Sequence, residues 1–147
     1  MTRILYSDGG EKQSSSYNAY RKDRANCTVI ALANATGLSY DQADMIAEAA
    51  GRQRNRGWFV TRILKAGGFP FTVTWHGRYQ VDGTKRRLNT LAYFVSQHPR
   101  GRYILCTRRH AFALVDGIVL DTAIVGPRSI VTESYRLDGE EFNAHTL

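Results

Sequence analysis

The pattern of apolar and polar positions predicts helices in the first two thirds of the chain and strands in the last third. The segment Cys27–Thr36 is apolar and rich in alanine, and Gly37 follows it, which predicts a short buried helix. A second helix is expected to begin after Ser39 and to run to about Ala50, because Ser39 and Gln42 form a capping box. Two short helices are therefore expected over residues 27–50.

Two more helices and two isolated strands are expected around this pair. Trp58–Lys65 carries apolar residues near a 3.6-residue period, and Thr90–Gln97 is expected to be helical up to a following proline. Apolar and polar residues alternate in Phe69–Trp75, which predicts a strand that starts after the proline of that segment. The polar leader, residues 1–24, is expected to hold a short strand followed by a loop.

Three short β-rich segments follow one another in the last third: Tyr103–Thr107, His110–Val115 and Ile118–Asp121. Asp116 and Gly117 separate the last two, and this pair is typical of a two-residue hairpin turn. Because helices precede an antiparallel sheet, the sequence predicts the α+β class.

The length of 147 residues and the hydrophobic fraction of 43% fit a single domain with a real core. No segment approaches the ~20 apolar residues of a membrane span, and the first residues lack the apolar stretch of a secretory signal. We therefore expect a cytoplasmic protein without a membrane partner. The single domain, residues 1–147, is expected to comprise a polar leader 1–24, a mainly helical half 25–98, an antiparallel sheet half 99–137 and a tail 138–147.

The chain is basic, with 20 Lys and Arg against 13 Asp and Glu and a formal net charge of +7 at pH 7. This charge permits a nucleic acid or an acidic protein as a partner, although a basic surface also serves solubility alone. In the cluster Arg52–Arg56, cations lie close to Trp58, a combination that suits single-stranded nucleic acid, although Trp58 also fits the role of a helix anchor. Further basic clusters occur at Lys85–Arg87 and at Arg108 and Arg109.

The two cysteines, Cys27 and Cys106, are too few for a disulfide framework or a structural zinc site. Cys106 lies in an apolar segment and is expected to be packed and inert. Three of the histidines, His76, His98 and His145, are scattered without the spacing of metal ligands, and the sequence has no phosphate-binding or dinucleotide motif. We therefore expect no metal and no cofactor.

The expected hairpin turn brings a histidine near an acid. With Asp116 and Gly117 in the turn, Phe112 faces Asp121, and His110 lies on the same face of the sheet. His110 and Asp121 are then diagonal neighbours, on the order of 7–8 Å apart between backbones, so that their side chains can meet. A carboxylate in this position orients an imidazole and stabilises its charged form, whereas a shift of register by one residue would separate the pair.

Cys27 is the candidate nucleophile for this pair. It stands at the expected start of a helix, with Asn26 at the N-cap position. The helix dipole and the free N–H groups at a helix start favour a thiolate and lower the pKa of a cysteine below its usual ~8.5. The same N–H groups are suited to hold a developing oxyanion.

The order Cys27, His110, Asp121, with the segments ANCTV and HAFALVDG around the first two, resembles the papain-like cysteine peptidase superfamily. The likeness is to small bacterial and phage domains, including relatives of bacteriocin-processing peptidases, and it covers roughly residues 20–125. It implies a papain-like fold in which a central helix starts at Cys27 and packs on the sheet, with the site in the cleft between them. In this resemblance Cys27 attacks a peptide or protein substrate to form an acyl-enzyme, His110 is the general base and acid, and Asp121 orients His110.

The sequence departs from the family before the cysteine. The family's upstream glutamine, which completes the oxyanion hole, has no counterpart here, so Asn18, Arg21 or Asn26 would have to replace it. The small-residue and tryptophan signature around the cysteine is also missing. These departures bear on turnover more than on the fold.

Arg108, Arg109 and Trp58 are the candidates for the mouth of such a site. The two arginines adjoin the candidate histidine, would make the mouth cationic and would favour an acidic substrate. The same constellation also serves amidases and transglutaminase-like acyl transfer, because pocket shape selects the acceptor. The non-enzymatic alternatives are an inactive papain-like protein and a basic phage or bacterial protein that binds nucleic acid or an acidic protein.

Overall fold

The structure is a computed structural model that describes residues 2–77, 81–84 and 87–139 and combines α-helices with one β-sheet. The helices are α1 Ser15–Tyr20, α2 Cys27–Thr36, α3 Tyr40–Ala49, α4 Val60–Ala66 and α5 Leu91–Gln97. The strands are β1 Arg3–Tyr6, β2 Phe71–Trp75, β3 Arg102–Thr107, β4 His110–Val115, β5 Ile118–Asp121 and β6 Glu133–Leu137. The chain therefore has the α+β class that the sequence predicts.

The strands form a six-stranded sheet in the order β1-β5-β4-β3-β6-β2. Strands β5, β4 and β3 form the expected antiparallel meander, and β6 and β2 extend it in antiparallel pairing. Strand β1 pairs in parallel with β5. The expectation of a C-terminal antiparallel sheet is thus corrected to a mixed sheet that takes β1 from the polar leader and β2 from the helical half. A turn signal fixes only strands that are consecutive in the chain, so these long-range pairings have no local signature.

Helices cover both faces of the sheet. Helices α2, α3 and α4 pack with one set of inward residues, which includes Ile104 and Ala113. Helix α5 packs with the alternate set, which includes Leu105 and Phe112. Helix α5 therefore lies across the sheet from α2, α3 and α4. Burial on both faces explains why β4 reads as a nearly continuous apolar segment.

The local signals around α2 and α3 are confirmed. Gly37 ends α2 in the left-handed conformation with φ 80°, and Ser39 and Gln42 form both hydrogen bonds of the capping box of α3. Helix α4 begins two residues later than expected, because Phe59 has an extended backbone with φ −84° and ψ 125°. Helix α1 was not expected, since it lies in a polar segment without apolar periodicity.

No helix in the described residues is long and apolar enough to cross a membrane. The tail expected over 138–147 lies outside the described residues from residue 140 onward, as do Lys85 and Arg86 of one basic cluster. The first residue of that tail, Asp138, forms an ion pair with Arg136 of β6 at 2.8 Å.

Candidate active site

The start of α2 places a thiol beside the sheet. Cys27 is the first residue of α2, and this helix packs against β4. The first hydrogen bond of the helix runs from the N–H of Ile30 to the carbonyl oxygen of Asn26, at 3.0 Å. The N–H groups of residues 27–29 precede that bond at the positive end of the helix. The sulfur of Cys27 therefore lies where the helix stabilises a negative charge.

The β4–β5 hairpin brings the candidate histidine and acid together. Val115 pairs with Ile118, so the turn comprises Asp116 and Gly117, and the predicted register is confirmed. His110 begins β4 and Asp121 ends β5, and Nε2 of His110 lies 2.6 Å from Oδ2 of Asp121.

The carboxylate of Asp121 is held from several sides. The residue is only 3% exposed, and its Oδ1 accepts a hydrogen bond from the N–H of Thr122 at 2.7 Å. Its carbonyl oxygen accepts the N–H of Ser7 at 3.0 Å, and its backbone pairs with Tyr6 at the end of β1. The N-terminal strand thus braces the acid, a role that the sequence did not indicate because β1 is remote from β5 along the chain.

Cys27 and His110 line the same cleft, together with Ala111. The His110 side chain and the backbone N–H of Ala111 both act on the pKa of the Cys27 thiol as hydrogen-bonding groups. Because Nε2 of His110 faces Asp121, Nδ1 is the ring nitrogen that faces Cys27. Burial raises the pKa of the Cys27 thiol, but the two hydrogen bonds and the charge of His110 outweigh burial, so the pKa lies below its ordinary value.

The imidazole of His110 has the complementary shift. Hydrogen bonds to Asp121 and to Cys27 raise the pKa of His110 to about 10, against the opposing effect of burial. At neutral pH these shifts favour an imidazolium beside a thiolate. In this protonation state a cysteine is nucleophilic and a histidine can protonate a leaving group.

Cys27 and His110 open into a cleft of about 750 Å³. Its wall includes the aromatic residues Trp58, Phe59, Trp75 and Tyr135. The indole N–H of Trp58 donates to the carbonyl oxygen of Ala50 at 2.8 Å, so Trp58 is both an anchor of its loop and part of the wall. The described residues that line the cleft also include Arg109, but not its neighbour Arg108.

The three oxyanion candidates are not gathered at the thiol. In the described part of the chain, the cleft wall includes neither Asn18 nor Arg21. Asn18 is exposed on α1, and the carbonyl oxygen of Arg21 accepts a hydrogen bond from Arg54. Asn26 adjoins Cys27, but its Nδ2 donates to the hydroxyl of Tyr40 at 2.9 Å. The structure thus does not bring Asn18 or Arg21 to the thiol and engages the amide of Asn26 elsewhere, whereas the N–H groups at the start of α2 lie beside Cys27.

A buried ion pair fixes the segment that leads into α2. Arg52 is predicted from the sequence to belong to a basic cluster, yet its side chain is only 2% exposed and its Nη2 lies 2.8 Å from both carboxylate oxygens of Asp23. The same carboxylate accepts the N–H groups of Ala25 and Asn55. Arg52 therefore serves the structure in front of Cys27, and it is withdrawn from any surface that could meet a nucleic acid.

A second buried carboxylate supports this segment. Glu11 is 2% exposed, and its Oε2 accepts the N–H of Asp23 at 3.0 Å while its Oε1 pairs with Lys22 at 2.9 Å. Sequence reasoning missed Glu11, Asp23 and Arg52, because a buried charge in a loop has the same local sequence as a solvated one.

Cys106 lies in the cleft wall rather than wholly in the core. Burial raises the pKa of its thiol to about 12, and the charges of Glu133 and Cys27 act in the same direction. The two cysteines of one cleft thus differ in their expected protonation: Cys27 is favoured as a thiolate, and Cys106 as a neutral thiol.

Comparisons with protein-family models, with curated proteins and with solved structures give no match for this chain. The described residues contain no group of three or more His, Cys, Asp or Glu side chains that could hold a metal ion. The papain-like resemblance therefore stays a prediction, and the chemistry of the site is argued from its geometry.

Proposed function

We propose that this protein is a papain-like cysteine peptidase or a related amidase that acts through an acyl-enzyme. The observation that carries the proposal is the placement of Cys27 and His110 in one open cleft, with His110 hydrogen-bonded to the buried Asp121 behind it. A buried thiol alone is usually inert, whereas a thiol paired with an oriented imidazole is an activated nucleophile.

In the proposed reaction the Cys27 thiolate attacks the carbonyl carbon of the substrate, and a C–S bond forms as the carbonyl π bond breaks. The tetrahedral oxyanion collapses and expels the amine, which takes the proton from Nδ1 of His110. Water then attacks the thioester while His110 accepts its proton. Collapse of the second tetrahedral intermediate releases the carboxylic acid, and the proton on His110 restores the ion pair with the Cys27 thiolate.

Backbone groups are the proposed donors to the oxyanion. The free N–H groups at the start of α2 point out of the N-terminal end of the helix, where Cys27 is the first residue, and the helix dipole reinforces them. Asp121, hydrogen-bonded to Nε2 of His110, holds the tautomer and the orientation of the imidazole.

The pH dependence of alkylation by iodoacetamide tests the proposal. Wild-type Cys27 is expected to react at pH 6, and His110→Ala to react about a hundredfold more slowly there, because an ordinary thiol with a pKa of ~8.5 is scarcely ionised. Mass spectrometry of peptides after digestion assigns the label. Cys106 serves as the internal control, since its raised pKa predicts little labelling at the same pH.

Three outcomes separate the proposal from its alternatives. Equal alkylation of wild type and His110→Ala at pH 6 would contradict the ion pair and favour an inactive or purely binding protein. Fast alkylation, followed by a thioester of Cys27 with a peptide or an activated ester, would support acyl-enzyme chemistry. Faster release of that acyl group by an amine than by water would instead favour acyl transfer.

A further inference from the structure

Three cationic side chains line the cleft around the thiol. Arg62 and Lys65 belong to α4, and Arg109 lies in the turn between β3 and β4, immediately before His110. All three are exposed to solvent. They come from two different elements, so a group bound over Cys27 meets positive charge from more than one part of the wall.

These cations are not neutralised inside the described part of the chain. None of the three forms an ion pair there, and the acidic residue among the described wall residues is Glu133. Its Oε2 accepts the hydroxyl of Tyr135 at 2.5 Å. Unpaired cations of one sign along a cleft concentrate oppositely charged ligands within it.

Arg62 is held by contacts with aromatic rings, and Arg109 occupies an unusual backbone conformation. The guanidinium of Arg62 lies 4.8 Å from the ring centroid of Phe59 and 5.6 Å from that of Trp58, which are cation–π contacts. Arg109 has φ 64°, in the left-handed region that favours glycine. The chain thus keeps an arginine, at a conformational cost, at the position next to the candidate acid-base residue.

We propose that this cleft selects substrates that carry a carboxylate close to the carbonyl group that Cys27 attacks, namely acidic peptides. The inference rests on the proposed function for turnover, but the selection of anions is a property of the cleft itself. Arg62 forms no ion pair in the described part of the chain, so its guanidinium is available to a carboxylate, and Glu133 would repel a continuous phosphate backbone.

The test compares two alkylating agents of similar size at Cys27, anionic iodoacetate and neutral iodoacetamide. Each rate is divided by the rate for glutathione under the same conditions. We expect a ratio of iodoacetate to iodoacetamide about tenfold higher for Cys27 than for glutathione. Lys65→Gln and Arg109→Gln should each lower that ratio about two- to threefold, the effect of one charge some 7 Å away in water.

Lys12→Gln is the matched control. Lys12 is exposed and lies outside the cleft wall, and its replacement removes the same unit of net charge. It should change the ratio much less than Lys65→Gln does. An unchanged rate with iodoacetamide shows that the thiolate and the fold are intact in each variant.

The failures of the two proposals are distinguishable. Acid selection is overturned if Cys27 reacts fast with iodoacetamide but has the same iodoacetate-to-iodoacetamide ratio as glutathione. It is also overturned if Lys12→Gln and Lys65→Gln change that ratio equally. In both cases the proposal that Cys27 is a nucleophile remains. Inertness of Cys27 to both reagents would overturn both proposals. Oligodeoxythymidylate and a Glu-containing peptide are then tested as competitors of alkylation by iodoacetate. If only the oligonucleotide slows the reaction, the ligand of the cleft is a nucleic acid and not an acidic peptide.

Peptide pairs then locate the carboxylate. We expect a higher kcat/KM for a peptide with Glu beside the cleaved bond than for its Gln counterpart. Equal values for that pair, with a preference for a free over an amidated C-terminus, would assign the carboxylate to the chain end instead. Equal values in both pairs would contradict selection of acidic peptides.

Discussion

At the scale of single residues, the site depends on what surrounds each titratable group. The carboxylate of Asp121 is almost fully buried, yet one oxygen accepts a backbone N–H and the other faces His110. A carboxylate hydrogen-bonded in this way orients the imidazole and favours its protonated form. The raised pKa of His110 and the lowered pKa of Cys27 are thus parts of one arrangement.

Replacement of the acid tests this arrangement. In Asp121→Asn, a neutral amide no longer stabilises the imidazolium, so the pKa of His110 should fall from about 10 toward its ordinary value near 6.5. The sign follows from the shift: a raised pKa keeps the histidine charged up to about pH 10, and its loss makes deprotonation occur at lower pH. A titration of the imidazole nitrogens by NMR measures the change.

The matching control is Asp116→Asn, in the turn of the same hairpin. Asp116 accepts the N–H of Gly101 at 2.9 Å and has φ 48°, which asparagine tolerates. The His110 titration should be unaffected in this variant. If Asp121→Asn also leaves the pKa of His110 unchanged, Asp121 does not determine the charge of the imidazole.

The central pair of the site could be predicted from residues because its geometry is local. An Asp-Gly turn determines the register of one hairpin, and that register determines which side chains share a face. The partners of Asn26 and Arg52 could not be predicted in this way. Asn26 bonds to Tyr40 and Arg52 to Asp23, contacts between segments whose approach depends on the packing of whole helices.

At the scale of elements, a buried ion pair connects the loop before α2 to the loop after α3. Arg52 and Asp23 are 2% and 1% exposed at their side chains, and the carboxylate also binds two backbone N–H groups. Loss of one partner leaves an uncompensated charge in a site without water access. The pair therefore holds the chain that enters the helix of the candidate nucleophile.

Arg52→Met should lower the free energy of unfolding by about 3–5 kcal/mol, the typical result of breaking one side of a buried pair. Urea denaturation measures it. Arg56→Met, an exposed arginine of the same cluster, should change stability by less than about 0.5 kcal/mol. Similar losses in the two variants would mean that Arg52 is no more important than a surface cation.

At the scale of the whole molecule, the residue pattern predicts strands β1 to β5 and the pairing of β4 with β5, but neither β6 nor the neighbours of β1 and β2. The sequence predicts β1 and β2 as isolated strands, and the structure places them at the two edges of the sheet. The neighbours of β1 and β2 depend on how the intervening helices distribute between the faces. Helix α5 illustrates this dependence. It packs with the residues of β3 and β4 that alternate with those packed against α2, α3 and α4.

Charge also acts at this scale, and ionic strength separates the field of the whole molecule from that of the cleft. A net charge of +7 attracts anions over long distances, whereas Lys65 and Arg109 line the cleft and act on a ligand inside it. The Debye length is about 30 Å at 0.01 M salt, 10 Å at 0.1 M and 3 Å at 1 M. Attraction by the net charge of the whole molecule should therefore weaken mainly between 0.01 M and 0.1 M salt. Attraction by the cations of the cleft should weaken mainly between 0.1 M and 1 M.

The preference of Cys27 for iodoacetate over iodoacetamide should follow the second pattern. We expect most of the preference at 0.01 M salt to persist at 0.1 M and to disappear by 1 M, because the cations of the wall lie well within 10 Å of the bound anion. Alkylation rates at the three salt concentrations measure it, with glutathione as the reference. A preference already lost at 0.1 M would attribute the attraction to the +7 net charge and not to the cleft.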